Sequence, residues 1–152
     1  MTIELIIDKP IATVVINRPE RKNALTWDMR QQLTKYFTEL RFDDEIRAIV
    51  VTGAGGNFCS GADVTNMGGR DLRKARQMLQ SGSHGYIRVL HNIEKPVIAA
   101  VEGVAVGIGM SIAMACDMMV VGQAARFAQV FREVGPAKEL AWREVMRRLA
   151  ED

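Results

Sequence analysis

Hydrophobic residues recur along the N-terminal part of the chain with two different periods. Two runs rich in β-branched residues, Ile3 to Asp8 and Ile11 to Asn17, flank Lys9-Pro10 and predict a β-hairpin. Thr26 is a typical N-cap residue, and the apolar residues after it are spaced for one face of a helix. The residues of that face are Met29, Leu33, Tyr36, Phe37 and Leu40.

Short apolar runs and helical patterns alternate through the rest of the chain. Strands are predicted at 46–52, 97–101 and 117–121, a turn at 103–107, and helices at 72–93, 107–116 and 136–152. Gly82 and Gly85 interrupt the pattern of the first helix and predict a kink or a break there. Strands that alternate with helices in this way predict an α/β fold.

Composition limits the functions that this chain can have. Its 152 residues allow one domain, and its net charge of +2 is too small to indicate nucleic-acid binding. The longest apolar stretch, Val97 to Val121, contains polar residues and three glycines, so it does not predict a membrane span. No signal-peptide pattern is present, and we predict a cytoplasmic protein.

Cys59 and Cys116 are predicted to be small buried residues, although one disulfide is formally possible.

The glycine loops do not match the common cofactor motifs. Gly53-Ala54-Gly55 follows a predicted strand, but a dinucleotide-binding loop needs a third glycine where Phe58 stands, and a helix directly after it. No serine lies in the Gly-x-Ser-x-Gly motif of serine hydrolases. His84 and His91 lack the spacing of metal ligands, and we predict structural roles for both.

Two other loops together suit thioester chemistry. One is Phe58 to Asp63, and the other runs from Val101 to Met110 into a helix rich in small residues. Each alone indicates a tight turn or a close packing that needs glycine. Together they allow backbone N–H groups from two loops to converge on one carbonyl oxygen, the second at a helix N-terminus that favours negative charge. Such a donor lowers a reaction barrier by about 3–4 kcal/mol in known cases.

Several sequence blocks, in this order, resemble the crotonase (enoyl-CoA hydratase/isomerase) family. The blocks are Asn17-Arg18-Pro19, Lys22 to Leu25, Phe58 to Asp63, Lys95 to Gly103, Cys116-Asp117 and Phe127. The resemblance implies a crotonase-like spiral of ββα units, incomplete at the C-terminus. It also implies a core over 1–135. The C-terminal helix over 136–152 departs from the family after Gly135, which indicates either an internal deletion that joined it to the core or a truncated reading frame.

The resemblance assigns roles to individual residues. It implies that the N–H groups of Ala62 and Ile108 form an oxyanion hole. The residues implied to contact coenzyme A or to line the acyl-CoA channel are Lys22, Ala24, Ala62, Asp63, Val64 and Thr65. For Asp63, a helix cap or turn former is favoured over a catalyst. The family implies no bound cofactor, coenzyme A as part of the acyl-CoA substrate, and a homo-trimer or hexamer.

The chain departs from the family where the hydratases carry their two catalytic glutamates. Those positions are Ser111 and Phe131 here, and a neutral serine cannot replace glutamate as a general base near neutral pH. Glu102 and Glu133 lie nearby in the sequence, but no sequence argument directs either of them to the substrate. The leading hypothesis is an enzyme that stabilises a thioester enolate. Two alternatives are a CoA-binding or oligomerising remnant without a base, and a serine hydrolase with Ser111 as nucleophile.

Overall fold

The computed structural model describes residues 2–63 and 84–129. These residues form seven strands, three α-helices and one short 3-10 helix at Pro19–Arg21. The strands are β1 (Thr2–Asp8), β2 (Ile11–Asn17), β3 (Ala48–Gly53), β4 (Val97–Val101), β5 (Val104–Val106), β6 (Met118–Val121) and β7 (Arg126–Ala128). The helices are α1 (Trp27–Phe42), α2 (His84–His91) and α3 (Ile108–Ala115).

Five strands form the main sheet, in the order β1-β2-β3-β4-β6. β1 and β2 pair antiparallel, as the predicted hairpin requires, and every other neighbouring pair in this sheet is parallel. Alternate residues of β2 and β4 are buried, which matches the period of two expected when one face of a strand covers a core. The predicted α/β alternation is therefore confirmed in the described part of the chain.

A second, two-stranded sheet pairs β5 with β7 in parallel. The prediction of a turn over the whole of Gly103 to Gly107 is wrong, because Val104–Val106 is a strand. Ala105 also makes an isolated parallel bridge with Cys59, so β5 has a partner on each side. A three-residue strand has too short a pattern to be recognised locally, and its partners lie far away in the sequence.

α1 covers the main sheet with the face that was predicted. The Thr26 hydroxyl accepts a hydrogen bond from the Met29 N–H at 3.3 Å, which confirms it as the N-cap. The predicted apolar residues of this face are buried, except that Tyr36 is half-buried. α1 packs against both α2 and β1, so it closes one side of the core.

The remaining predictions fall only partly within the described residues. α2 confirms a helix at the end of the predicted segment 72–93, but it stops at His91, and Ile93 lies beyond it. The predicted kink at Gly82, the C-terminal helix and the boundary after residue 135 lie outside the described residues. No helix among residues 2–63 and 84–129 is both long and apolar enough to cross a membrane.

Asn23 connects three parts of the fold through its side chain. It is fully buried, and its Oδ1 accepts a hydrogen bond from the Arg18 N–H at 2.8 Å. Its Nδ2 donates to the carbonyl oxygens of Ala54 and Asn57, at 2.8 and 2.6 Å. Asn23 thereby joins the end of β2 to the loop after β3. A buried amide with all these partners supports a unique loop arrangement, because each bond lost would leave a buried polar group unsatisfied.

Replacing Asn23 by aspartate keeps its shape and removes the two N–H donors. We expect Asn23→Asp to lower the free energy of unfolding by about 2–4 kcal/mol at neutral pH, because a carboxylate would face two carbonyl oxygens. We expect burial and the two facing carbonyl oxygens to raise the folded-state pKa of that carboxyl above its value in the unfolded chain. The lost stability should therefore return as the pH falls and the carboxyl gains a proton. Urea denaturation at several pH values measures both effects.

Asn92→Asp is the matched control, because Asn92 is exposed and its Nδ2 donates only to the Arg88 carbonyl oxygen among the described residues. The control should change the free energy of unfolding by about 0.5 kcal/mol or less. Equal losses in the two variants would contradict the role given to Asn23.

Candidate functional site

The two loops singled out by the sequence lie side by side in the structure. The Phe58 N–H donates to the Glu102 carbonyl oxygen at 2.7 Å, and the Cys59 N–H donates to the Val104 carbonyl oxygen at 2.9 Å. The Val106 N–H returns a bond to the Cys59 carbonyl oxygen at 2.9 Å. This is the alternating pattern of parallel strands. The first loop therefore acts as a third strand beside β5.

Two glycines allow the loops to approach this closely. A Cβ atom on Gly61, which has a φ of +106°, would lie 3.0 Å from the Val106 carbonyl oxygen and 3.9 Å from the Ile108 nitrogen. A Cβ atom on Gly109 would lie 2.2 Å from the Cys59 carbonyl oxygen, a distance that no side chain tolerates. The residue before Ala62 thus packs directly against the first turn of α3.

The Ala62 amide points away from the segment that supports it. Ala62 forms a parallel bridge with Leu25, in which the Leu25 N–H donates to the Gly61 carbonyl oxygen at 2.8 Å. The Asp63 N–H donates to the Leu25 carbonyl oxygen at 3.0 Å. Because successive peptides of an extended segment face opposite edges, the Ala62 N–H faces the edge away from Leu25. The Ala62 N–H has no acceptor within the described part of the chain.

Ile108 is the first residue of α3, and its amide is one of the N–H groups that a helix cannot satisfy internally. The first intrahelical bond runs from the Ser111 N–H to the Gly107 carbonyl oxygen at 3.0 Å. Within residues 2–63 and 84–129, the Ile108 N–H also has no acceptor. Gly107 precedes the helix with a φ of 53° and has no side chain to cap it. An oxygen atom of a ligand could therefore occupy this position.

Arg18 is a site residue that the sequence analysis did not identify. Its side chain is buried, and its Nη1 donates to Asp63 Oδ2 at 2.6 Å and to the Ala24 carbonyl oxygen at 3.0 Å. Asp63, predicted as a channel residue and turn former, is thus also an ion-pair partner. The available signal was that Arg18 and Asp63 belong to two of the sequence blocks that carry the family resemblance, 45 positions apart.

The structure describes two of the other predicted binding residues, Lys22 and Ala24. Lys22 is exposed in the left-handed conformation, with a φ of 48°, and its carbonyl oxygen accepts from the Ser60 N–H at 2.9 Å. Ala24 is half-buried and donates its N–H to the Arg21 carbonyl oxygen at 3.1 Å. Lys22 and Ala24 therefore border the loop that carries Ala62. Val64 and Thr65 lie outside the described residues.

The hydroxyl of Ser111 is used inside its own helix. Its Oγ donates to the Gly107 carbonyl oxygen at 3.2 Å, one turn back, and the residue is half-buried. It makes no hydrogen bond to a histidine or carboxylate of the described part. Glu102 is exposed and takes part in the site through its carbonyl oxygen, which the Phe58 N–H contacts. Phe131 and Glu133 lie outside the described residues.

Both cysteines are free thiols. Burial raises the pKa of the Cys59 thiol to about 11 and that of the Cys116 thiol to about 12, so both stay protonated at neutral pH. Cys59 is buried, as predicted, whereas Cys116 is only half-buried. No group of three or more histidine, cysteine or acidic residues suited to a metal ion occurs in the part of the chain that the structure describes.

Known proteins are similar to this chain in sequence and in fold. The chain is 40% identical over 120 residues to the short-chain-enoyl-CoA hydratase of Clostridium acetobutylicum, covering 78% of this chain and 46% of that protein. It is 34% identical over 132 residues to the 1,2-epoxyphenylacetyl-CoA isomerase of Escherichia coli K12, covering 85% and 50%. An enoyl-CoA hydratase from Polaromonas sp. JS666 superimposes with a TM-score of 0.81 at 31% identity, covering 89% of this chain and 53% of that one.

The chain thus spans about half the length of the relatives that it matches. The Polaromonas structure confirms the predicted fold class, an α/β crotonase fold. The family model for enoyl-CoA hydratase/isomerase matches residues 7–150, nearly the whole chain. This chain belongs to the enoyl-CoA hydratase/isomerase family, within the crotonase superfamily.

Proposed function

We propose that this chain binds an acyl-CoA thioester, and that the Ala62 and Ile108 N–H groups both donate to its carbonyl oxygen. The observation that carries the proposal is the packing of Gly61 against the start of α3, where a Cβ atom on Gly61 would lie 3.9 Å from the Ile108 nitrogen. Because Gly61 directly precedes Ala62, the two amides, neither of which has an acceptor in the described part, lie near each other. Amides held in this way are typical of oxyanion holes.

The chemistry that such a site favours is stabilisation of a thioester enolate. Removing a proton next to the thioester carbonyl places negative charge on its oxygen, and two fixed N–H donors stabilise that charge without reorganising. The dipole of α3 adds to this, because Ile108 lies at its positive end. The names of the hydratase and isomerase relatives both specify CoA compounds, which supports an acyl-CoA substrate for this chain.

The remainder of the substrate is proposed to extend along the exposed side of the same loops. Lys22, exposed beside the Ser60 loop, could pair with the phosphates of coenzyme A, and Ala24, Asp63, Val64 and Thr65 are proposed to line the channel. Coenzyme A is part of the substrate in this proposal, with no separate cofactor. A homo-trimer or hexamer also stays a proposal, supported by exposed apolar residues of α3 and β6. The cytoplasmic location stays a prediction.

A second candidate function is acyl-CoA binding without turnover. The residue that favours it is Ser111, which the family resemblance places at a glutamate position of the hydratases and whose hydroxyl donates to the Gly107 carbonyl oxygen. Thermal-shift measurements with crotonyl-CoA beside a hydration assay separate the two functions. Hydration supports the enzyme, and loss of that activity in Glu133→Gln would identify its base. Binding of crotonyl-CoA without hydration or isomerisation would favour a CoA-binding remnant that lacks a general base.

The carbonyl contact itself can be tested with a matched pair of ligands. Butyryl-CoA and the thioether S-butyl-CoA have the same chain length and differ in the carbonyl group. We expect the thioester to bind about tenfold more tightly, since it alone accepts the two N–H bonds. Isothermal titration calorimetry gives both dissociation constants. Equal affinities would contradict the proposed oxyanion hole.

Gly109→Ala tests whether the loops must touch for the site to exist. Alanine normally favours a helix over glycine, but a Cβ atom here would lie 2.2 Å from the Cys59 carbonyl oxygen. We expect the variant to lose about 1–3 kcal/mol of its free energy of unfolding and most of its preference for butyryl-CoA over S-butyl-CoA. Urea denaturation and calorimetry measure the two effects.

Gly85→Ala is the control in another helix. Its Cβ atom would lie 3.5 Å from the Thr34 hydroxyl oxygen, an ordinary contact distance, so stability should stay the same or rise by up to about 1 kcal/mol. Unchanged ligand preference in Gly109→Ala would mean that the contact between the loops does not shape the site.

Ser111→Ala tests the alternative of a serine nucleophile. The Ser111 hydroxyl bonds a carbonyl oxygen of its own helix, so its removal should leave acyl-CoA binding and any hydration activity within about twofold of the original chain. The measurements are calorimetry with butyryl-CoA, the crotonyl-CoA hydration assay, and hydrolysis of p-nitrophenyl butyrate. Ester hydrolysis that disappears in Ser111→Ala would establish the hydrolase instead.

A further inference from the structure

We propose that the Arg18–Asp63 ion pair is a positioning device that holds the Ala62 amide in its donating orientation. This inference rests on the proposed function, because it assigns the pair a role in aiming one of the two proposed donors. Arg18 itself is a positioning residue, since it contacts the loop and is not expected to touch the substrate.

The first step is the burial of the pair. The Arg18 side chain is 8% exposed and that of Asp63 18% exposed, and their closest charged atoms, Nη1 and Oδ2, are 2.6 Å apart. Glu20 lies farther from the same guanidinium, with its Oε1 3.8 Å from Nε, and is 60% exposed. A guanidinium this deeply buried needs a close partner to offset its lost hydration. Asp63 is the closer and the better shielded carboxylate of these two.

The second step is the place of Asp63 in the chain. Asp63 directly follows Ala62, and Gly61 directly precedes it. The Leu25 N–H holds the Gly61 carbonyl oxygen, while the Leu25 carbonyl oxygen holds the Asp63 N–H. The bond from Arg18 to the Asp63 side chain adds a third attachment. The two peptide groups of Ala62 are therefore restrained from both ends, which limits rotation of its N–H.

The third step is that buried guanidinium groups also brace the supporting segment. Arg18 Nη1 donates to the Ala24 carbonyl oxygen at 3.0 Å, and Arg30 Nη2 donates to the Leu25 carbonyl oxygen at 3.2 Å. These are successive carbonyl groups of the segment that pairs with Ala62. Both arginines are buried, so their bonds are shielded from water and ions. Two buried side chains therefore hold the segment that pairs with Ala62.

The fourth step connects this support to the main sheet. Arg18 directly follows β2, and its backbone N–H and carbonyl oxygen both bond to Asn23, at 2.8 and 2.9 Å. β2 lies between β1 and β3 in the sheet. The orientation of the Ala62 amide is thereby set relative to a central strand. Fixed geometry of this kind is what an oxyanion hole needs, because small displacements of a donor weaken its effect on the developing charge.

The test uses the ratio of two dissociation constants, that of S-butyl-CoA divided by that of butyryl-CoA. Both constants are measured on the same preparation of the 152-residue chain. A lower folded fraction weakens both ligands by the same factor, so the ratio is unaffected by a purely structural loss. A displaced Ala62 amide weakens only the ligand that has a carbonyl oxygen. The ratio therefore separates positioning from stability.

We expect a ratio of about ten in the original chain and about two in Arg18→Met, which keeps an apolar side chain of similar length but loses both N–H bonds. Asp63→Asn removes only the charge of the partner and should give an intermediate ratio. Arg18→Lys, the conservative variant, should also be intermediate, because one ammonium group cannot reproduce the fork of a guanidinium. If Arg18→Met does not fold, the other two variants carry the test.

Lys35→Met is the matched control, since it removes a cation from an exposed ion pair with Glu39 on α1. It should leave the ratio at about ten. Ratios near ten in the Arg18 and Asp63 variants would overturn the positioning role while leaving the proposed function intact. A ratio near one in the original chain would instead remove the oxyanion hole itself, and with it the basis of this inference.

Discussion

The site depends on parallel backbone pairing between the loop after β3 and the segment that enters α3. Three hydrogen bonds join Phe58 and Cys59 to residues 102–106. These bonds place an extended loop beside β5 and, a few residues later along the chain, bring Ala62 to the level of the first turn of α3. Because backbone groups make the contact, the geometry depends on how closely two main chains can approach. Glycine at positions 61 and 109 makes that approach possible.

The second feature of the site is that two buried polar side chains, Asn23 and Arg18, make several defined hydrogen bonds, although Arg18 Nε makes none within the described residues. Asn23 bonds to three backbone groups from the end of β2 and the loop after β3, and Arg18 bonds both to a carboxylate and to a carbonyl oxygen. Buried polar groups specify one arrangement strongly when they are satisfied, because any alternative leaves some of them without partners. A loop that would otherwise be variable can thus present an amide in a fixed direction.

The proposed enolate chemistry has two requirements that rest on different parts of the chain. The proposed backbone donors to a thioester oxygen depend on glycines, a helix start and loop pairing, and all of these lie in the described residues. A general base depends on individual side chains, and the family resemblance implies that Ser111 occupies a position where the hydratases carry glutamate. In the proposed function, binding and charge stabilisation therefore use a part of the fold that does not require the carboxylates. A chain can in this way keep the features of its family's fold independently of the residues that catalyse turnover.

Much of the architecture was determined by the sequence itself. The hairpin, the Thr26 cap, the buried face of α1 and the alternation of strands and helices all follow from local periodicity and capping, which act over a few consecutive residues. The glycines of the two loops also indicate a close approach of main chains, because glycine alone lacks the Cβ atom that would prevent it. The sequence blocks indicate the family, and the family model and the similar proteins confirm it.

Only the tertiary structure decided the short strand β5, the pairing of Arg18 with Asp63, and the role of Asn23 as a connector. β5 has three residues and exists because Cys59 and β7 lie on either side of it. Arg18 and Asp63 are 45 positions apart, and neither residue alone indicates the other. Local patterns reflect the burial of consecutive residues, whereas these features depend on which distant segments become neighbours, and that is settled only when the sheet and the loops assemble.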